Sequence, residues 1–198
     1  MLYYCDLFVI LNLKNKKKAK KINKIKICTL LFRWSDNTTW GVCYKDVCLA
    51  SVAKSERKAA SSKLPVIIMS TSESDSVKQT LSGKFNLRFA SGAGYKLLCT
   101  AQCRVEAYVL SKSSIYLWDC CAPHALLRAT GGGVVRFRDM VACLRSRGVG
   151  KVSEETVKEL EVSYSLMADS KSSGKSIDGI IAYSCREVLD KIMQSLAE

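Results

Sequence analysis

Two kinds of group in this chain have residue types and spacing suited to chemistry: one carboxylate on a helix corner and two small-residue turns. The carboxylate is Asp119, in Trp118–Gly133, WDCCAPHALLRATGGG. Its side-chain oxygen suits an N-cap, accepting a first-turn N–H. Pro123 is tolerable there, because early helical N–H groups have no intrahelical partner. A hard carboxylate oxygen on a rigid strand-to-helix corner can ligate a metal. The first turn, Ser91–Lys96 (SGAGYK), has Gly92 and Ala93, small enough for backbone N–H groups to approach an anion, with Lys96 one turn in. The second is Ser70–Glu73 (STSE), where Ser72 can cap a helix over 70–82 and offers its hydroxyl and the free N–H groups of that start to a phosphate or sugar hydroxyl. Taken alone both turns are ordinary. N-cap serines are common, and a GxGxxG pattern is broken by Leu97.

The elements that position these groups alternate between periods of two and 3.6. Leu64–Met69, LPVIIM, is a buried strand with its proline near the start, and Phe85–Phe89 is a short one. The spacing predicts a helix over Tyr95–Cys103, a strand over Val105–Leu110 and a loop over 111–117. Ala122, Ala125, Leu126 and Ala129 form a small-residue helix face, Gly131 suits the left-handed residue that ends it, and Val134, Val135 and Phe137 read as a strand. Residues 138–152 are basic and mixed. Ser153 caps a helix to Met167, with Glu154 and Glu155 favoured by its dipole. After a Ser/Gly/Lys loop, Ile180–Tyr183 is a strand. Ser184–Glu187 is a capping box for a last helix that turns Val188, Leu189, Ile192, Met193 and Leu196 inward. Near the other end, Trp40–Val52 reads as a strand or a hairpin turning at Lys45-Asp46. The class is α/β.

Composition narrows the function classes. The net charge is +13, but eight lysines lie between Lys14 and Lys26, where there is no acid, so the rest is only mildly basic. That run lacks interleaved aromatics or a reading motif, which argues against nucleic acid as a partner and for a solvated tail. The apolar Leu7–Ile10 is too short to span a bilayer, and lysines follow it rather than precede it, unlike a secretory signal. Ten cysteines without paired CxxC motifs read as small buried hydrophobes in a reducing cytoplasm, not as a zinc site. His124, the only histidine, reads as a packing or surface residue.

WDCCAPHALLRATGGGVV resembles the carboxy-terminal signature of the inositol monophosphatase superfamily, the lithium-sensitive, magnesium-dependent phosphatases. STSE, SGAGYK and Gly179–Tyr183 (GIIAY) agree with it in order and spacing, and the likeness runs from about Trp40 to the end. The resemblance implies a layered α-β-α-β-α sandwich of which residues 33–198 are the carboxy-terminal αβ portion, while residues 1–32 are a basic tail or a mispredicted start. It implies a Mg2+-dependent phosphatase acting on the 1-phosphate of inositol polyphosphates of the 1,4-bisphosphate type. Asp119 would be a metal ligand, and Ser72, Gly92, Ala93 and Lys96 would contact substrate. Ser74 departs from the family's frequent lysine. The sister bisphosphate nucleotidases tend to carry asparagine where this chain has Tyr95 and glutamate where it has His124. The family's Glu-Glu metal pair and its D-P-[IL]-D-[GS]-T segment are absent, along with the water-activating residues they hold; Glu154-Glu155 follows Asp119 and reads as structural. The expectation is a substrate pocket with one metal ligand and impaired catalysis. The alternative is an inactive module binding inositol phosphate or nucleic acid.

Overall fold

The computed structural model describes residues 30–34, 37–44, 47–50, 64–164 and 176–198. The described residues open with three antiparallel strands, β1 (Leu30–Trp34), β2 (Asn37–Tyr44) and β3 (Val47–Ala50). Tyr44 pairs with Val47, so β2 and β3 form the expected hairpin around Lys45-Asp46. β1 begins inside the segment read as a tail; residues 1–29 lie outside the described residues.

Next come β4 (Val66–Met69), α1 (Asp75–Ser82), β5 (Asn86–Phe89), α2 (Ala93–Ala101), β6 (Ala107–Leu110), β7 (Ile115–Tyr116) and α3 (Leu117–Ala129). β8 (Gly133–Arg136), α4 (Phe137–Arg147), a 3-10 turn (Val149–Lys151), α5 (Glu154–Leu160), β9 (Ser176–Ile177), β10 (Ile180–Tyr183) and α6 (Arg186–Leu196) complete the described elements. The five-stranded sheet has the order β5-β4-β6-β10-β8. β4 is parallel to β5 and β6, and β10 is antiparallel to β6 and β8. The carboxy-terminal ends of β4, β5 and β6 therefore share one edge of the sheet.

Strand alternation divides the core. Ile67, Met69, Ala107, Val109, Val135, Ile181 and Tyr183 face one side with Leu81 of α1, Met140 and Leu144 of α4 and Leu189 and Ile192 of α6. Ile68, Tyr108, Leu110, Val134, Ile180 and Ala182 face the other, with Leu97 and Leu98 of α2 and Cys120, Leu126 and Leu127 of α3. Each fully buried Leu or Ile contributes about 1.5–3 kcal/mol, so the apolar runs that read as central strands are held from both sides. α3 also packs against the β1–β3 sheet, giving the layer order sheet, helices, sheet, helices. No helix of the described residues is long and apolar enough to cross a membrane, and the six cysteines described are free thiols.

Several local expectations are corrected. α3 starts at Leu117, so Asp119 is the third helical residue rather than the cap, and Tyr116 holds the cap position. Pro123 consequently lies within the helix, where it has no N–H to offer the Asp119 carbonyl four residues back. Phe137 opens α4 instead of ending β8, and Phe137, Met140 and Leu144 give that basic stretch a buried helical face. α5 stops at Leu160, because Glu161 bridges to Val135 and Val162 N–H donates to Val134 O at 3.0 Å. Residues 161–164 are not helical, and residues 165–167 of the helix expected to Met167 lie outside the described residues. β7 and β9 pair within stretches read as loops. α6 turns the expected residues inward, but its cap is Cys185, with no side-chain cap bond in place of the expected box.

Candidate functional site

Three connections meet at the edge where β4, β5 and β6 end, the usual place for a ligand crevice in an open α/β sheet. After β4, the start of α1 is capped by a side chain. Ser74, not Ser72, is its cap, and its hydroxyl accepts from Val77 N–H at 3.4 Å. Glu73 Oε1 accepts from Ser74 N–H at 2.9 Å, Glu73 N–H donates to Ser70 O at 3.1 Å, and Asp75 adds an acid to the first turn. The N–H groups of Glu73, Ser74 and Val77 are therefore spent, which leaves Ser72 its hydroxyl, exposed and 3.0 Å from that of Ser70.

The start of α2 is the opposite. Gly92 occupies the cap with φ +78° and ψ +118°, a backbone conformation that favours glycine. There is no side-chain cap bond and no acid in the first turn. Gly92 is exposed, Ala93 half-buried, and a Cβ on Gly94 would meet nothing within 4 Å. The positive end of this helix dipole thus carries no side-chain cap and no acid, an arrangement suited to an anion.

Lys96 does not reach out from this turn. It is buried, its Nζ donates to Ala90 O at 3.1 Å, and the ammonium lies 5.0 Å from the centre of the Tyr108 ring. Burial lowers its pKa. It has no carboxylate within ion-pair distance among the described residues, so its charge acts from beneath the turn. Tyr108 is the common neighbour of the three connections. Burial first, then the charges of Cys120, Glu73 and Asp119, hold its phenol protonated far above the usual range.

Asp119 sits in the first turn of α3, which packs on α2. Its Oδ2 accepts the Tyr116 N–H at 3.0 Å, fixing the carboxylate and leaving the other oxygen for a ligand. Among the described residues no three His, Cys, Asp or Glu side chains gather as a metal site. Octahedral magnesium wants several hard oxygens, so these residues fit one corner of such a site and not the whole.

Sequence reasoning missed Glu73 as a structural centre. It is only 3% exposed; its Oε2 accepts from Ser111 N–H at 3.0 Å, and its Oε1 accepts from the Ser111 hydroxyl. It ties the β4–α1 turn to the loop after β6. Nothing in the sequence pairs Glu73 with Ser111, 38 residues away. Tyr116 and Trp118 stack beside Asp119 with centroids 4.5 Å apart, both exposed. His124 is buried away from these connections, its Nδ1 2.9 Å from the Tyr164 hydroxyl, which agrees with a packing role.

The open α/β edge thus combines a glycine-started helix with no acid in its first turn and a carboxylate on the next helix, an arrangement that can accommodate an anion. The family model described as "Inositol monophosphatase family" matches residues 30–168, and the chain belongs to that family. It is 34% identical to inositol polyphosphate 1-phosphatase of Mus musculus over 185 residues, covering 84% of this chain and 44% of that protein. Against the Homo sapiens protein of the same name it is 32% identical, with the same coverage. The chain thus spans less than half the length of these relatives. Among solved structures, an inositol monophosphatase from Zymomonas mobilis superposes with a TM-score of 0.54 at 9% identity, over 86% of this chain and 57% of that one, a likeness of fold alone.

Proposed function

We propose that this chain forms the substrate-holding part of a phosphatase acting on inositol polyphosphates of the 1,4-bisphosphate type, releasing the 1-phosphate. The observation that carries this reading is the contrast between two helix starts on one edge: α1 is capped and acidic, whereas α2 is uncapped and free of acid. The N–H groups of Gly92 and Ala93 receive phosphoryl oxygens, and Lys96 supplies positive potential from below. Ser72 offers its hydroxyl to the polyol or its phosphate. Asp119 is the residue available to a metal ion. In phosphate-ester hydrolysis magnesium neutralises phosphoryl charge and activates water. With one carboxylate in place, no step through the metal is assigned to these residues.

The test is calorimetric binding of inositol 1,4-bisphosphate to the 198-residue chain, alongside a magnesium-dependent turnover assay. Binding without turnover is expected. Measurable phosphate release would refute the catalytic deficit, and absence of binding would refute the site. Tighter binding of adenosine 3',5'-bisphosphate would move the reading to the nucleotidase branch.

A further inference from the structure

Two ammonium groups from different elements rest on adjacent carbonyls of the turn that carries Ser72. Lys78, on α1, donates to Thr71 O at 3.2 Å and to Asp75 Oδ1 at 3.0 Å. Lys112, in the loop after β6, donates to Ser72 O. The two differ in charge balance. Asp75 offsets Lys78, while Lys112 is exposed and has no carboxylate within ion-pair distance among the described residues.

Lys112 also differs from an ordinary surface lysine in what lies under it. The preceding residue, Ser111, is bonded through both N–H and hydroxyl to the buried carboxylate of Glu73. Glu73 belongs to the same turn that the Lys112 ammonium reaches. The backbone beneath the lysine is therefore fixed to the surface its side chain covers, which lowers the ordering cost of using that charge in binding. The N–H groups of the cap Ser74 and of Val77 are engaged and Asp75 places an acid in the first turn of α1, so side-chain ammonium groups are the strongest positive charges at this spot.

We propose that Lys112, beside the Ser72 hydroxyl, receives a second phosphate of a bisphosphorylated polyol and so sets a preference for bisphosphate over monophosphate ligands. This rests on the reading that the first phosphate lies at the start of α2. A ligand without the second phosphate gains nothing from Lys112, so the discrimination is a difference of affinities.

The experiment compares inositol 1,4-bisphosphate with inositol 1-phosphate by calorimetry, using the unaltered full chain, Lys112→Gln, Lys112→Arg and Lys96→Met. Lys112→Gln is expected to weaken the bisphosphate about tenfold and the monophosphate by less than about twofold, as suits loss of one charge-assisted contact. Lys112→Arg keeps the preference. Equal loss for both ligands, or no loss for either, overturns the proposal; the α2 reading stands in that case if Lys96→Met weakens both. Failure of the unaltered chain to bind either ligand overturns the reading and the proposal together.

Discussion

The Lys96 ammonium is held by one carbonyl and one aromatic face, with no carboxylate among the described residues to balance it. Replacing a buried charge of this kind by an apolar side chain of similar length is often neutral or stabilising. Lys96→Met is accordingly expected to raise unfolding stability at pH 7 by about 1 kcal/mol while weakening phosphate binding, read by urea titration and calorimetry. The pH dependence gives a second check. The folded lysine gives up its proton below the unfolded value of 10.5. Between the two values the unfolded chain holds more protons, so stability rises with pH across that window. Lys96→Met removes that rise, and a steeper one in the variant would contradict the assignment. Glu73 presents the reverse case, a buried carboxylate whose oxygens accept three donors. Glu73→Ala strands those donors and is expected to cost about 3 kcal/mol in the same titration.

The two helix starts make separable predictions at the scale of elements. Ser74→Ala removes the cap of α1 and should cost about 1 kcal/mol of stability while leaving inositol phosphate affinity unchanged. Gly92→Ala forces a Cβ onto a residue at φ +78° and should cost about 1–3 kcal/mol. It should also weaken phosphate binding, because the distorted N–H groups belong to the site. A Ser74→Ala protein that loses affinity, or a Gly92→Ala protein that keeps it, would reverse the roles assigned to α1 and α2. Much of this was legible beforehand. The small residues of Ser91–Lys96 marked a turn where backbone N–H groups could approach an anion, while the Ser70–Glu73 turn was read as a Ser72 cap with free N–H groups, and the structure caps that helix with Ser74 instead. Which serine caps was not legible, because Ser72 and Ser74 both precede suitable N–H groups and the choice depends on where Glu73 is pulled. That pull comes from Ser111.

Across the whole molecule, the turn from α3 into β8 is fixed by close approach to β10. A Cβ on Gly132 would lie 2.1 Å from Tyr183 O and 2.9 Å from Ser184 O, both backbone atoms of a central strand and its exit. Gly132→Ala is expected to cost about 3 kcal/mol or more, measured as a fall in the unfolding midpoint, since neither neighbour can yield without shifting the sheet. What the sequence determined by itself was the α/β class, the central strands and the family, because β-branched runs, glycine turns and the WDCCAPHALLRATGGGVV signature are local patterns. It also located Asp119, Ser72, Gly92, Ala93 and Lys96 as candidates. Tertiary structure alone decided their postures. Lys96 turns inward because the Ala90 carbonyl and the Tyr108 ring lie beneath its turn. Asp119 moves to the third helical position because α3 begins at Leu117, after β7 has paired with β9. Glu73 and Lys112 acquire their meaning from contacts 38 and 40 residues along the chain. Separations of that size leave no periodic trace in sequence; only the parallel ordering of β4 and β6 places those loops side by side.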